Sequence, residues 1–342
     1  MEKNRLYYFD MLRGLAILGV IAIHASNVGF NFPSDTFNFN FTIFWRNSLN
    51  FSVPLFLAIS GYFLAKKEVS DYNKYFDFLK KQIPKIYIPL LIWSSLWFAI
   101  NVFTGNSPIP RELIKIITFR SSVPYYFIAL ISQFYIALPF LKKLNNKRGL
   151  LISVLVSLTI TLVIFYLRYF TEIRLPVLLY GGNMFTFWMF FQLGLFLGSG
   201  NILNISNKIL LLLIAFFYFI SCSESYILIT FFEQASDAVT AVKFSSFLYS
   251  FFIIFYLLKN IDVIKSKSLT LLGNLSFGIF LTHLFFLEIV NQIAFAFFPS
   301  IVEITYLYQF LAIIIVASAC VITMVSVNKF MPAKYGRLLG FF

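Results

Sequence analysis

The sequence predicts an all-α protein that crosses a lipid bilayer about ten times as a bundle of helices. Sixty per cent of its 342 residues are hydrophobic and only 12 per cent are charged, whereas soluble domains carry about 25 per cent charged residues. The mean hydropathy is +0.84. A water-soluble fold has no room to bury this much apolar surface, so the composition excludes a soluble protein.

Apolar stretches near the length of a spanning helix, about 20 residues, recur along the whole chain. We expect spans near 12–30, 43–64, 86–103, 124–141, 150–168, 184–199, 208–222, 241–258, 269–290 and 306–328. The stretch SESYILITFFEQ, between the seventh and eighth spans, is also compatible with a re-entrant or interfacial segment. Because every loop is short, we expect residues 1–342 to form a single integral-membrane domain with no extra soluble domain.

The basic residues divide unevenly between the two sides that ten spans create. With a cytoplasmic N-terminus, 20 of the 27 Lys and Arg residues fall on the cytoplasmic side and seven on the other. This is the bias of multi-pass membrane proteins, whose cytoplasmic loops collect positive charge. The lipid bilayer therefore accounts for the net charge of +13, and we expect no nucleic acid partner.

The two cysteines, Cys222 and Cys320, lie in apolar runs without CxxC or Cys/His spacing. This pattern argues against a disulfide framework and against a zinc site. We expect both to be core residues, and we expect no metal.

The first predicted span places a cation and an imidazole on one wall. Arg13 and His24 are eleven residues apart, and at about 100° per residue this returns to within about 20° of the start, roughly 16 Å along the axis. Ionisable groups inside a membrane are costly unless they face a polar cavity. The alternative is that Arg13 extends to the lipid headgroups while His24 bonds to a neighbouring helix. Asp10, at i,i−3, is placed to form an ion pair with Arg13.

The second span contains Pro54, which can kink a helix, and the pair Ser60-Gly61, which allows another backbone to approach closely. Taken alone, this pattern favours a role in helix packing. The loop that follows ends in Lys80, Lys81 and Lys85, a cluster suited to a polyanion such as nucleotide phosphates. Positive-inside bias explains the same cluster equally well.

The ninth span holds the other histidine, His283, and an acidic residue, Glu288, in an apolar run. At i,i+5 the two side chains are not on one helix face, so they do not form a dyad. A carboxylate within a span is rare enough to be a candidate proton relay. For His283, a packing role and a site role are both open.

Read in order, these stretches resemble the membrane-bound acyltransferase 3 family of bacterial envelope acyltransferases. The family's first helix has a basic residue, ten intervening positions and a histidine, matched by Arg13 and His24. The further matches are VPLFLAISGYFL at 53–64, KKQIPKIYIPLLIW before and within the third span, PYYFIALISQFYIALPFL at 124–141, and LSFGIFLTH with Ser276 and His283. Lys85 stands where the family commonly has arginine, and a tyrosine replaces a tryptophan in the fourth stretch.

The resemblance implies O-acyl transfer, most often of acetyl from cytoplasmic acetyl-CoA, to a hydroxyl of an envelope sugar, polysaccharide or lipid-linked sugar. Arg13 is a candidate catalytic residue together with His24. With Lys80, Lys81 and Lys85, it would also hold the CoA phosphates. His24 would act as general base or carry the acyl group covalently. Asp10, Ser60, His283 and Glu288 are candidate supporting residues.

Two other classes remain open at this stage. One is a transporter or flippase for a lipid-linked saccharide, with His24, His283 and Glu288 as a proton relay. The other is a polysaccharide-assembly partner without catalytic activity. A transporter does not require Arg13 and His24 on one helix face, so that pair favours the enzyme.

Overall fold

A computed structural model of the chain describes residues 2–171, 175–232, 238–261 and 266–341. Throughout these ranges the regular structure is helical. The first half contains α1 Glu2–Ala25, α2 Phe37–Ser48, α3 Ser52–Leu64, α4 Tyr72–Phe103, α5 Ile109–Ile117, α6 Tyr126–Lys143, α7 Lys147–Ile160 and α8 Tyr166–Phe170. The second half contains α9 Val177–Tyr180, α10 Met184–Gly198, α11 Asn207–Phe232, α12 Phe244–Lys259, α13 Lys267–Asn274, α14 Ser276–Phe297, α15 Pro299–Glu303, α16 Thr305–Phe330 and α17 Ala333–Leu339.

The predicted polytopic all-α fold is confirmed. Among the described residues, seven helical segments are long and apolar enough to span a membrane. They are Tyr7–Asn31, Tyr72–Phe103, Val123–Lys143, Lys147–Ile164, Asn207–Phe232, Ser276–Phe297 and Thr305–Phe330. Two shorter apolar helices, Met184–Gly198 and Phe244–Lys259, coincide with two further predicted spans. The SESYILITFFEQ stretch continues α11 to Phe232; its last two residues lie outside the described ranges.

The second predicted span, 43–64, is wrong as one continuous helix, because the chain breaks between α2 and α3 at residues 49–51. Pro54 lacks an N–H and so cannot bond to the carbonyl of Asn50. Residues beside the break form hydrogen bonds with a neighbouring helix. Asn50 Nδ2 donates to Ser246 Oγ at 2.9 Å, and Tyr249 donates its hydroxyl to the Ser48 carbonyl at 2.9 Å.

The short helices α3 and α10 pack against each other in the middle of the bundle, and nearly all of α10 is buried. Their backbones meet at glycines, as the Ser60-Gly61 pair predicts. A Cβ placed on Gly61 would lie 2.2 Å from the carbonyl oxygen of Phe191, and one on Gly194 would lie 2.0 Å from that of Ala58. These distances are too short for any side chain, so the glycines set the spacing of the two helices.

Basic residues gather at the end of the bundle where Arg13 lies, which we call the basic end. There, Lys142 donates to the carbonyl of Lys67, and Lys81 and Lys85 line a groove together with Lys334 and Arg337. That this end faces the cytoplasm stays a prediction.

Replacing Gly61 by alanine should lower the thermal stability of the detergent-solubilised protein. Gly→Ala normally favours a helix by about 1 kcal/mol, whereas overpacking at this contact should cost about 1–3 kcal/mol. Thermal unfolding followed by circular dichroism measures the difference. Ala296→Leu, which adds bulk at an exposed position of α14, is the control and should leave the midpoint unchanged. An unchanged or raised midpoint for Gly61→Ala would contradict the packing argument.

Candidate active site

Two adjoining cavities lie inside the bundle along α1. The first, of about 140 Å³, is lined by Arg13, Ser60, Tyr135 and Ser276 among others; we call it the Arg13 cavity. The second, of about 190 Å³, is lined by residues that include His24, Arg46, Asn50 and the segment 240–242; we call it the His24 cavity. The spacing in α1 therefore places both predicted residues on one wall, and each opens into its own cavity.

Three phenylalanine side chains belong to both cavities and form what we call the phenylalanine partition: Phe56 of α3, Phe127 of α6 and Phe280 of α14. The ring centroids of Phe56 and Phe127 are 6.3 Å apart, and those of Phe127 and Phe280 are 5.7 Å apart. The boundary between the Arg13 cavity and the His24 cavity is thus formed by packed apolar rings.

Arg13 is held at its cavity by two contacts. Its Nη1 lies 2.6 Å from Asp10 Oδ1 in the expected i,i−3 ion pair. Its guanidinium carbon lies 5.1 Å from the ring centroid of Phe63, within the range of a cation–π contact. Together these contacts fix the rotamer of a half-buried cation that still reaches the cavity.

The two histidines meet, although they belong to distant helices. The ring centroids of His24 on α1 and His283 on α14 are 5.3 Å apart. His283 is fully buried, and its Nδ1 lies 3.0 Å and 2.9 Å from the carbonyl oxygens of Ile279 and Phe280. Because carbonyls only accept, Nδ1 carries the proton, and in the neutral ring Nε2 holds the lone pair. That Nε2 is buried without a partner among the described residues.

Arg46 is a site residue that sequence reasoning missed. It is 8 per cent exposed, and it lines the His24 cavity. Its Nη1 donates to the carbonyl of Ile23, to Asn27 Oδ1 at 2.7 Å and to Ser26 Oγ at 3.4 Å. These bonds tie α2 to the end of α1 beside His24.

A network of buried polar groups extends from the His24 cavity to a second buried cation, Lys243. Asn50, which lines the cavity, bonds to Ser246, whose hydroxyl lies 2.9 Å from that of Ser221. Ser221 Oγ donates to Asn47 Oδ1 at 2.7 Å. Lys243 Nζ then donates to Asn47 Oδ1 at 2.9 Å, to the Ser221 carbonyl at 2.5 Å and to Ser225 Oγ at 2.7 Å. Since Lys243 directly follows segment 240–242, it anchors one wall of the cavity.

Of the lysines predicted to hold a polyanion, Lys81 and Lys85 line the groove at the basic end, a space of about 770 Å³. Lys334 and Arg337 of α17 complete it. The indole Nε1 of Trp93 on α4 donates to the carbonyl of Leu339 at 3.1 Å, which holds α17 against α4. Lys80 is not part of the groove lining; it is exposed, with its Nζ 5.0 Å from the ring centroid of Phe76.

Two other candidates are placed differently. Ser60 lines the Arg13 cavity while its hydroxyl donates to the Phe56 carbonyl at 2.9 Å. Glu288 is exposed on α14 and accepts a hydrogen bond from Gln292 at 3.1 Å, so the structure does not bring it to the paired histidines.

Cys222 and Cys320 are buried and form no disulfide. Within the described ranges, no group of three His, Cys, Asp or Glu residues is arranged to hold a metal ion.

Comparison with known proteins decides the family. The sequence matches the acyltransferase 3 family, described as an acyltransferase domain, over residues 6–326. The chain belongs to the acyltransferase 3 family. The resemblance drawn from the sequence motifs is thereby confirmed. Searches among curated proteins and among solved structures gave no match.

In this acyltransferase, a sequence signal for Arg46 exists but is weak. Arg46 interrupts the apolar stretch FTIFWRNSL, and a cation inside such a stretch marks a functional position. The charge count assigned both Arg46 and Lys243 to the outer side of the membrane, where an ordinary loop cation would also lie. Only the folded chain shows that both are buried beside the His24 cavity.

Replacing Lys243 by methionine should destabilise the acyltransferase by about 3 kcal/mol, because polar groups arranged around a buried charge lose their partner. Thermal unfolding in detergent measures this loss. Lys143→Met, at an exposed position in the last turn of α6, removes the same charge and should change the midpoint little. Equal midpoints for the two variants would show that Lys243 anchors nothing.

Proposed function

We propose that this membrane acyltransferase transfers an acyl group, in the first place acetyl, from acetyl-CoA to a hydroxyl of an envelope glycan or lipid-linked sugar. The observation that carries the proposal is the placement of Arg13 and His24 on one face of α1, each lining one of two adjoining cavities. We place the protein in the cytoplasmic membrane of a bacterium, with the basic end toward the cytoplasm.

The groove at the basic end supports binding of the donor phosphates. It presents three ammonium groups and one guanidinium, from Lys81, Lys85, Lys334 and Arg337. Phosphate oxygens form strong charge-assisted hydrogen bonds with such groups. Lys85 also lies close enough to Arg13 for their charges to repel, so the positive charge continues from the groove to the Arg13 cavity.

The phenylalanine partition supports the path of the thioester. The pantetheine chain is uncharged, and its thioester end can pass between apolar rings while the phosphates stay with the cations of the groove. Lys85 and Ile86, neighbours on α4, line the groove and the Arg13 cavity respectively. The donor thus extends from the groove through the Arg13 cavity toward His24.

His24 then acts as general base. Its imidazole takes the proton of the acceptor hydroxyl as that oxygen bonds to the thioester carbonyl carbon, which gives a tetrahedral intermediate. The C–S bond breaks as the carbonyl re-forms, and the CoA sulfur takes the proton back from the imidazolium. His283 supports this role by its position, because its ring packs beside that of His24, with the two centroids 5.3 Å apart, and limits the orientations that the His24 ring can adopt. In the alternative open from the sequence, a His24 nitrogen attacks the thioester first and the acyl group then passes to the hydroxyl.

The transporter alternative has less support. A proton relay through His24, His283 and Glu288 needs the three groups in succession, and Glu288 is exposed and bonded to Gln292. The family match also describes an acyltransferase domain.

His24→Ala should abolish acyl transfer while the protein remains folded and inserted, because the proton of the acceptor hydroxyl then has no base. Loss should reach about 10²-fold or more. The measurement is release of CoA thiol from acetyl-CoA by purified protein in detergent, together with the mass of the acylated acceptor, and gel filtration checks folding. Normal turnover in a folded His24→Ala protein would exclude the mechanism.

Lys81→Gln should raise the KM for acetyl-CoA about 5-fold with kcat nearly unchanged, because one partly exposed phosphate contact contributes about 1 kcal/mol. The matched control is Lys80→Gln, which removes the same charge one residue away, outside the groove lining. The rise in KM for Lys81→Gln should shrink in high salt. Equal KM values for the two variants would show that the donor phosphates do not bind in this groove.

A further inference from the structure

The unexplained group in the His24 cavity is the guanidinium of Arg46. The general-base mechanism uses His24 and His283, and the donor phosphates use the groove at the basic end, so neither employs Arg46. Yet this side chain is more than nine-tenths buried and lines the cavity. A desolvated cation in such a position is stable only when it is compensated.

The hydrogen bonds of Arg46 compensate only part of its charge. Among the described residues, its three bonds leave from Nη1 and end on neutral oxygens of Ile23, Ser26 and Asn27. Its Nε is buried without a partner in the same part of the chain. A guanidinium offers five N–H donors in a planar fork, so one edge of this fork is left for a ligand.

In the part of the chain that the structure describes, the lining of the His24 cavity does not provide the missing negative charge. The described residues that line the His24 cavity include no carboxylate. The second buried cation, Lys243, lies behind the 240–242 wall. The nearby carboxylate, Glu224, accepts from the N–H and the hydroxyl of Ser245. Glu224 also offsets the charge of Lys243, so among the described residues Arg46 is the cation of this cavity that lacks a counter-ion, and it favours an anion.

The position of Arg46 indicates which substrate carries that anion. The donor phosphates belong at the basic end, beyond Arg13, and Arg13 lies roughly 16 Å from His24 along α1. The phenylalanine partition separates the two cavities. A second anion beside His24 consequently belongs to the acyl acceptor, whose hydroxyl must reach the same imidazole.

We propose that Arg46 binds a carboxylate or phosphate of the acceptor, so that the enzyme prefers an anionic sugar, either a sugar acid or a sugar phosphate, over its neutral counterpart. This inference rests on the proposed function, and it names the substrate class of the same site. The planar fork of arginine matches both anions with two parallel hydrogen bonds, which lysine does not reproduce.

Matched acceptors test the proposal. Purified protein with acetyl-CoA is given p-nitrophenyl β-D-glucuronide or the uncharged p-nitrophenyl β-D-glucoside, and in a second pair glucose 1-phosphate or methyl glucoside. Wild type should favour one anionic member by about 100-fold in kcat/KM. Arg46→Gln should lower kcat/KM for the anionic member far more than for the neutral member, which removes that preference. Which pair shows the preference distinguishes a carboxylate from a phosphate.

A second measurement does not depend on turnover. D-glucuronate or glucose 1-phosphate should raise the thermal midpoint of wild-type protein relative to D-glucose at equal ionic strength, and Arg46→Gln should lose this rise. Arg111→Gln, at an exposed arginine of α5, is the control for loss of one charge. Asp237→Asn, at a position outside the described residues, tests for a counter-ion within the chain.

Several outcomes would overturn the inference. The first is equal use of charged and neutral acceptors with no selective stabilisation. The second is an equal loss for both acceptors in Arg46→Gln, which assigns Arg46 to the tetrahedral oxyanion instead. The third is a selective stabilisation by the anionic sugars that appears in Asp237→Asn but not in wild type, which identifies Asp237 as the counter-ion of Arg46. The proposed function is judged separately. Thiol release that does not depend on His24 refutes the enzyme mechanism, whereas His24-dependent transfer without charge preference refutes only the role of Arg46.

Discussion

The break in the second span is the constraint on which the rest of the site depends. Inside a membrane, backbone and side-chain polar groups must find partners within the protein, and at residues 49–51 the N–H groups of Leu49 and Asn50 bond to carbonyls three residues earlier instead of four. Asn47 and Asn50 meet this requirement by bonding to serines of α11 and α12. Arg46, just before the break, bonds to the end of α1, and the His24 cavity is lined by residues of α1, α3 and α14 among others.

The short helices on either side of the break depend on the glycine contacts. At 13 and 15 residues, α3 and α10 are below the length of about 20 residues that an independent span needs. Each is stable only when packed on the other, and Gly61 and Gly194 allow that packing. The position of Phe56 in the partition, and of Ser60 in the Arg13 cavity, follows from where this pair holds α3.

Sequence reasoning predicted what depends on local periodicity. The family motif and the 3.6-residue repeat placed Arg13 and His24 on one wall and Asp10 against Arg13. The i,i+5 spacing also correctly separated His283 from Glu288. Sequence reasoning did not predict that His283 contacts His24, because that contact joins the first and the ninth predicted spans. The groove was likewise predicted only in part. Lys81 and Lys85 form a cluster in the sequence, whereas Lys334 and Arg337 join them only because α17 folds back onto α4.

The phenylalanine partition has a consequence for the cell as well as for the reaction. If the donor and the sugar acceptor enter from opposite ends of the bundle, as proposed, a water-filled vestibule opens on each side of the bilayer. If the two vestibules joined, hydrated ions would flow down their electrochemical gradient and dissipate the energy stored across the membrane. The three aromatic rings shared by the two cavities offer no hydrogen bonds to a file of water, so they would keep such a path closed to hydrated ions.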